Sequence, residues 1–168
     1  MMNLVILLSM LMQPSTLSVT SSAFKNEESI PEKYTCEGAN NAPEITVSDI
    51  PAKTISLAII MHDPDAPGEG MDHWVLFNIT PVNASHFEND YVIDDSGTAV
   101  KGINGKGANE YTGPCPPQGV HHYNFTVYAL DATLKLKEGA SRKDVEAAME
   151  GHILATGGLL GLYEKKNK

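Results

Sequence analysis

Two proline-rich turns, each followed by a strand that begins with histidine, constrain the fold of this chain more than any other feature. The first turn, residues 63–67, has the sequence Asp-Pro-Asp-Ala-Pro and ends six residues before His73. The second, residues 113–119, has the sequence Gly-Pro-Cys-Pro-Pro-Gln-Gly and leads into His121. Proline fixes the backbone φ angle and removes an N–H donor, so turns of this kind keep a rigid shape. The pattern predicts that polar side chains converge on one small pocket that could hold an anion.

The body of the chain is predicted to be mainly β. Strands are expected at residues 16–24, 45–47, 55–62, 73–80 and 122–130. The segment 55–62 is a continuous apolar run typical of a buried strand, and residues 122–130 alternate between two faces over nearly their whole length. Residues 73–80 alternate less regularly, and the following are expected to share one face: His73, Val75, Phe77 and Ile79. These segments predict an antiparallel sandwich of two sheets.

One helix is indicated by its N-terminal sequence. Ser141 and Asp144 have capping-box spacing, and the apolar positions that follow extend to His152 at helical intervals. The glycines at 157–158 are expected to stop this helix, and residues 159–163 to form a closing strand. The polar, glycine-rich stretch between the main strands is predicted to form long loops with one edge strand. The domain should therefore carry one or two peripheral helices.

Length and charge narrow the class of protein. The 168 residues, 42% of them hydrophobic, suffice for one domain with a sizeable core. The chain has 21 acidic and 12 basic residues, a formal net charge of −9. A field of that sign argues against a broad basic face for nucleic acid or for an anionic bilayer. We therefore expect that the protein has no nucleic-acid partner and is not an integral membrane protein. Any bound anion must be held by donors close to it.

The N-terminus differs in composition from the rest of the chain. Residues 4–12 form a nearly uninterrupted apolar run that is too short to span a bilayer as a helix. The run is typical of the central region of a secretory signal, although no basic residue precedes it and no Ala-x-Ala site follows. We predict a signal peptide at 1–16, a single domain at 17–168, and a periplasmic or secreted location. The alternative is a cytoplasmic protein in which this segment is part of the domain.

The chain has two cysteines, Cys36 and Cys115. Two cysteines with no third one are consistent with a single disulfide in an oxidising compartment. Such a bond would close a loop of roughly 80 residues and contribute about 4 kcal/mol to the stability of the fold in the chain-entropy treatment. Two buried free thiols in a cytosolic protein are the alternative. A metal site is less favoured, because neither cysteine stands in a Cys-x-x-Cys pair.

Four groups of motifs, taken together, resemble the phosphatidylethanolamine-binding protein family, in particular its bacterial and archaeal YbhB/YbcL or Raf kinase inhibitor-like branch. In chain order they are residues 30–36 (Ile-Pro-x-x-Tyr-Thr-Cys), 63–67 with His-Trp at 73–74, the run 104–125 that contains the second proline turn, and 151–155 with Gly-Leu-Tyr at 161–163. The resemblance extends from about residue 17 to residue 163. It implies a two-sheet β fold with a small pocket for phosphate, acetate or phospholipid head groups, and some members inhibit kinases or proteases.

The resemblance also implies which residues line the pocket. Carried over position by position, they are Asp63, Ala66, Pro67, His73, Pro116, Pro117, His121 and Tyr123. Met71 stands where the family often has an aromatic residue at the pocket rim. The chemistry of these side chains agrees with an anion site, because imidazole N–H groups and a phenol hydroxyl are donors. Asp63 is expected to accept from a histidine and fix its tautomer.

We therefore predict a binding protein for a small anion or a phosphorylated head group, with a kinase or protease as a candidate target, and with no catalytic activity, cofactor or metal. One alternative is a hydrolase of phosphate or acyl esters that uses Asp63, His73 and His121 as an acid–base set. The chain has no Gly-x-Ser-x-Gly elbow and no phosphate-cradling loop, and Cys115 could serve as nucleophile only if reduced and exposed.

Two further alternatives remain for the same side chains. The three could ligate zinc, a chemically reasonable set without the usual His-x-x-x-His spacing. The histidines could instead only satisfy carbonyl groups of buried turns. The sequence leaves the oligomeric state open, a homodimer included.

Overall fold

The computed structural model describes residues 15–80, 87 and 90–166, and within them the chain forms ten strands and one α-helix. In chain order the elements are β1 (Ser15–Thr16), β2 (Ser18–Thr20), β3 (Glu28–Ser29), β4 (Ile45–Ser48), β5 (Ser56–Asp63), β6 (Met71–Ile79), β7 (Tyr91–Ile93), β8 (Val100–Lys101), β9 (Val120–Leu130), α1 (Arg142–Met149) and β10 (Ile153–Glu164). A short 3-10 helix, Glu32–Tyr34, lies between β3 and β4. The prediction of a mainly β domain is confirmed.

The strands form two sheets. The larger sheet has the order β1-β10-β9-β5-β6-β8, with β3 also paired to β10, and the smaller sheet has the order β2-β4-β7. The long central strands are antiparallel to their neighbours, as expected. The short strands β1 and β3 run parallel to β10, so the larger sheet is mixed at this edge.

Apolar side chains cover both faces of the larger sheet. On one face, residues such as Phe125 pack against the smaller sheet, which contributes Val47 and other buried aliphatic side chains. On the other face, Phe77 packs against α1, which buries Val145 and Met149. Alternate residues of β5 and β9 therefore face different cores, which explains why β5 lacks the polar alternation of a half-exposed strand.

The helix begins as predicted and ends earlier. The Ser141 hydroxyl accepts from the Asp144 backbone N–H, and the Asp144 carboxylate accepts from the Ser141 N–H in return, which completes the capping box. The helix ends at Met149, so the prediction that His152 lies on its apolar face is wrong. His152 is exposed and its ring pairs with Asp131 at 2.8 Å.

Gly157 and Gly158 lie inside β10 and do not terminate the helix, in contrast to the prediction. The closing strand spans twelve residues, whereas the sequence predicted only residues 159–163. A Cβ atom at Gly157 would come within 2.3 Å of the Leu17 carbonyl oxygen. The close approach of the chain between β1 and β2 therefore requires glycine at this point of the strand.

Other boundaries differ in detail. The expected strand at 16–24 is present as β1 and β2, and two short strands, β7 and β8, lie in the stretch for which one edge strand was predicted. Residues 1–14 of the predicted signal peptide lie outside the described residues. The last two residues of that prediction, Ser15 and Thr16, pair with Ala155 and Thr156 of β10.

Cys36 and Cys115 form a disulfide, with their Cα atoms 5.5 Å apart and 79 positions apart in sequence. This bears out the expected pairing and ties the 3-10 helix region to the second proline turn. Across the described part of the chain, no helix combines the length and the apolar character needed to cross a membrane.

Candidate anion-binding site

A cavity of about 160 Å³ lies where the end of β5 meets the beginnings of β6 and β9. All eight residues that the sequence predicted for the pocket line it: Asp63, Ala66, Pro67, His73, Pro116, Pro117, His121 and Tyr123. The wall is completed by Met71, Lys106, Gly113 and Cys115. The two proline-rich turns therefore meet around one space.

Strand alternation places the β9 side chains. His121 and Tyr123 are buried on the face that packs toward the smaller sheet, whereas His122 between them is exposed. His121 Nδ1–H donates to Asp63 Oδ2 at 2.8 Å, as expected for a carboxylate that fixes the tautomer. The other Asp63 oxygen accepts from the Asp65 backbone N–H at 2.8 Å, which closes the first proline turn.

His73 reaches the same cavity because β6 contains a bulge. Met61 pairs with Trp74, but the next residue of β5, His62, pairs with Asp72, so His73 is an extra residue on β6. A bulge of this kind re-aims a side chain. The expected common face for His73, Val75, Phe77 and Ile79 is wrong. Val75 and Phe77 face the helix-side core, whereas His73, at the bulge, lines the cavity. Ile79 faces the inter-sheet core and lies beyond a second register shift between β5 and β6.

The backbone of Thr112 holds His73 at two points. The Thr112 N–H donates to the His73 carbonyl oxygen at 2.9 Å, and His73 Nδ1–H donates to the Thr112 carbonyl oxygen at 2.7 Å. The alternative in which a histidine satisfies a buried carbonyl is thus correct for one nitrogen of this ring. Burial lowers the pKa of His73, while the bond to Thr112 and the charge of Asp63 oppose that shift.

The second nitrogen of His73 has no such partner. Within the described structure, His73 Nε2 and the Tyr123 hydroxyl are buried and make no hydrogen bond. The two rings meet edge to face, with centroids 5.2 Å apart. Burial, together with the charges of Asp63 and Asp65, raises the pKa of Tyr123, so its hydroxyl stays protonated at neutral pH and can donate.

The segment that carries Thr112 is anchored on both sides of that residue. Tyr111 O–H donates to the Tyr34 carbonyl oxygen at 2.7 Å, and the Gly113 N–H donates to Asn40 Oδ1 at 2.8 Å. A Cβ atom at Gly113 would lie 2.5 Å from that same Tyr34 carbonyl oxygen, so only glycine fits this approach. The wall opposite β9 is therefore rigid before the proline turn begins.

Lys106 is a cavity residue that the sequence analysis missed. It lies in an exposed loop that the buried Asn104 side chain organises: Asn104 Oδ1 accepts from the N–H groups of Lys106 and Ala108 at 2.9 and 3.1 Å, and its amide donates to the Glu110 carbonyl oxygen at 2.8 Å. The only sequence signal was one lysine between two glycines of a predicted loop. Lys106 places a positive charge in the cavity wall of an acidic protein.

Comparison with known proteins agrees with this architecture. The family model for the phosphatidylethanolamine-binding protein matches residues 20–164. The chain belongs to the phosphatidylethanolamine-binding protein family. A relative named UPF0098 protein from Methanothermobacter thermautotrophicus is 44% identical over 153 residues, which cover 89% of this chain and 99% of that protein.

Two solved structures of this family share the fold. A homologue of phosphatidylethanolamine-binding proteins from Chlamydia trachomatis has a TM-score of 0.81 and 38% identity, covering 90% of this chain and 99% of that one. YbcL from E. coli, described as a new member of the mammalian family, has a TM-score of 0.78 and 31% identity, covering 90% and 100%. The resemblance found in the sequence is thereby confirmed.

The cavity brings together Asp63, His73 and His121, the three residues of the hydrolase and zinc alternatives. Cys115, the one nucleophile that the sequence analysis considered, is bonded to Cys36. In the described ranges, no group of three or more His, Cys, Asp or Glu side chains is arranged to hold a metal ion. Nδ1 of His73 and of His121 each already donates to a protein oxygen.

Proposed function

We propose that this protein binds a small anion, phosphate or a phosphate-bearing group, in the cavity between His73 and His121. The observation that carries the proposal is that two buried polar atoms of this cavity, Nε2 of His73 and the hydroxyl of Tyr123, have no hydrogen-bond partner among the residues that the structure describes. Buried polar groups are nearly always hydrogen-bonded, and those that are not call for an explanation such as a ligand or water. Both residues line the same cavity.

The charges around the cavity favour an anion despite the net charge of −9. Asp63 stands behind His121 and can compensate a positive charge on that ring when an anion lies in front of it. Lys106 adds a charged donor to the wall. An anion would therefore be held by local donors, since the field of the whole protein opposes its approach.

Size and lining limit the guest to a small group. The cavity of about 160 Å³ is walled by Ala66, Met71, Pro116 and Pro117 beside the polar atoms. Apolar walls with a few convergent polar groups are typical of binding sites for small ligands. The space suits a phosphate-sized head group.

The biological setting follows from the same features. A kinase or protease that presents a phosphorylated or acidic side chain would offer the same chemistry as a free anion, and inhibition by insertion of such a group is part of the proposal. The disulfide favours export to an oxidising compartment. We propose binding without catalysis, as a monomer or homodimer.

Calorimetric titration with inorganic phosphate tests the proposal. His73→Ala and His121→Ala should each weaken binding roughly tenfold or more, because each removes a hydrogen bond to a charged group. His122→Ala is the matched control: the neighbouring histidine is exposed and pairs with Asp65 outside the cavity, so its loss should change affinity by less than about twofold. Unchanged phosphate binding in both cavity variants would remove the proposal.

A further inference from the structure

The two cavity histidines are held by different kinds of partner. Behind His121 is the Asp63 carboxylate, and behind His73 is the Thr112 carbonyl oxygen. A carboxylate can compensate a second proton on the imidazole, whereas a neutral carbonyl does so far less. The two rings should therefore offer different atoms to the same guest.

His73 offers a lone pair. The Thr112 carbonyl oxygen can only accept, so His73 Nδ1 carries the ring proton in the neutral form and Nε2 is then an acceptor. Nε2 is buried and has no hydrogen-bond partner within the described structure. Burial also lowers the pKa of His73, which favours this neutral form. A guest that only accepts hydrogen bonds would leave this lone pair without a donor.

The other titratable and charged groups near His73 do not fill that role. Asp63, Lys106, His121 and Tyr123 line the same cavity, and Asp72 precedes His73 in β6. Tyr123 and Lys106 carry donor groups, but neither donates to Nε2 of His73, which has no hydrogen-bond partner within the described structure. The Asp63 carboxylate can only accept, and it already accepts from His121 and from the turn. A donor carried by the guest would satisfy Nε2 of His73.

We propose that the cavity selects a phosphomonoester that retains one proton, which it donates to Nε2 of His73, over fully ionised sulfate and over phosphodiesters. This inference rests on the anion-binding function proposed above and narrows its ligand class. A phosphomonoester gives up its second proton near about pH 6, so the singly protonated form is abundant in mildly acidic solution. The phosphate of common membrane phospholipids is a diester without such a proton.

The expected selectivity follows from the unpaired lone pair. A site built around a hydrogen bond rejects an analogue that lacks the partner group, because a buried polar atom is left without compensation. We expect the protonated monoester to bind roughly tenfold or more tightly than an anion of equal charge without the proton.

Calorimetry at about pH 6 with methyl phosphate, dimethyl phosphate and sulfate tests this directly. Dimethyl phosphate matches the charge of the methyl phosphate monoanion, and sulfate matches its dianion. The wild-type protein and His122→Ala should both prefer methyl phosphate roughly tenfold or more over the other two. His73→Asn retains an N–H for Thr112 but is too short to present an acceptor at the Nε2 position, so this preference should disappear.

A spectroscopic measurement keeps the test valid if His73→Asn fails to fold. In the wild-type protein saturated with methyl phosphate, ¹⁵N chemical shifts of the His73 ring should show a proton on Nδ1 and none on Nε2. Equal affinity for methyl phosphate and sulfate, or a protonated Nε2 in this complex, would overturn the inference and leave anion binding intact. Failure of every anion to bind would overturn the proposed function as well.

Discussion

Two neighbouring histidines of β9 form the same kind of contact on opposite sides of the sheet. His121 donates to Asp63 at 2.8 Å inside the cavity, and His122 donates to Asp65 at 2.7 Å outside it. The inner side chains are 11% and 4% exposed, the outer ones 50% and 40%. One Asp-Pro-Asp turn thus supplies both carboxylates, and only strand alternation decides which pair meets a ligand.

The difference between the pairs is one of surroundings. The hydrogen bonds from His122 lower the pKa of the Asp65 carboxyl, but an exposed pair is screened by water and contributes little to stability or binding. The inner pair lies beside buried polar atoms that have no hydrogen-bond partner in the part of the chain that the structure describes. The same two side-chain types therefore serve as a surface contact in one case and as part of a candidate binding site in the other.

The largest expected effect separates the two carboxylates. Asp63→Asn keeps an acceptor for His121 but removes the carboxylate charge that strengthens the hydrogen bond behind the ring, so phosphate affinity should fall roughly tenfold to a hundredfold. Asp65→Asn makes the same change outside the cavity and should alter affinity less than about twofold. Calorimetric titration of both variants measures the contrast, and similar losses in the two would show that the inner pair has no special role.

The sequence alone was sufficient to predict the cavity residues that lie in or beside the two proline-rich turns. Alternation along β9 places His121 inward and His122 outward, because that strand is regular from one end to the other. The same rule failed on β6, where one extra residue changes the face on which His73 lies. Hydrophobic pattern carries no signal for such a bulge when both faces of the sheet are buried.

Long-range contacts account for the rest of what the sequence did not reveal. Lys106 reaches the cavity through a loop whose shape depends on buried Asn104, and Thr112 acts through its backbone, which no side-chain pattern reports. The length of β10 was underestimated because Gly157 indicates a helix stop locally, although its real role is to admit the backbone at Leu17.

A smaller effect should distinguish two buried tyrosines. The Tyr123 hydroxyl has no partner in the described structure, whereas the Tyr111 hydroxyl donates to the Tyr34 carbonyl oxygen. In the ligand-free protein, Tyr123→Phe should leave the free energy of unfolding unchanged or raise it by about 1 kcal/mol, and Tyr111→Phe should lower it by about 1–2 kcal/mol. Tyr123→Phe should nevertheless weaken phosphate binding, since it removes a donor from the cavity.

Urea unfolding without phosphate provides the measurement for both tyrosine variants. Equal destabilisation would mean that the Tyr123 hydroxyl is already paired within the free protein. In that event the Tyr123 hydroxyl would offer no free donor to a ligand. The contrast between the cavity pair and the exposed pair would then lose its main support.

The smallest expected effect concerns the pH dependence of the ligand-free protein. The pKa of His73 is lowered by burial from an ordinary value of 6.5, so the unfolded chain takes up this proton at a higher pH than the folded one. Stability therefore falls as pH drops below about 6.5 and continues to fall until the lowered pKa of the folded state is reached. Urea unfolding between about pH 8 and pH 5 measures how the free energy of unfolding depends on pH. His73→Asn should remove the contribution of this ring to that dependence, whereas His152→Asn, a change at an exposed ring, should retain it. A slope that is the same in the wild type and in His73→Asn would mean that the buried ring is not held neutral.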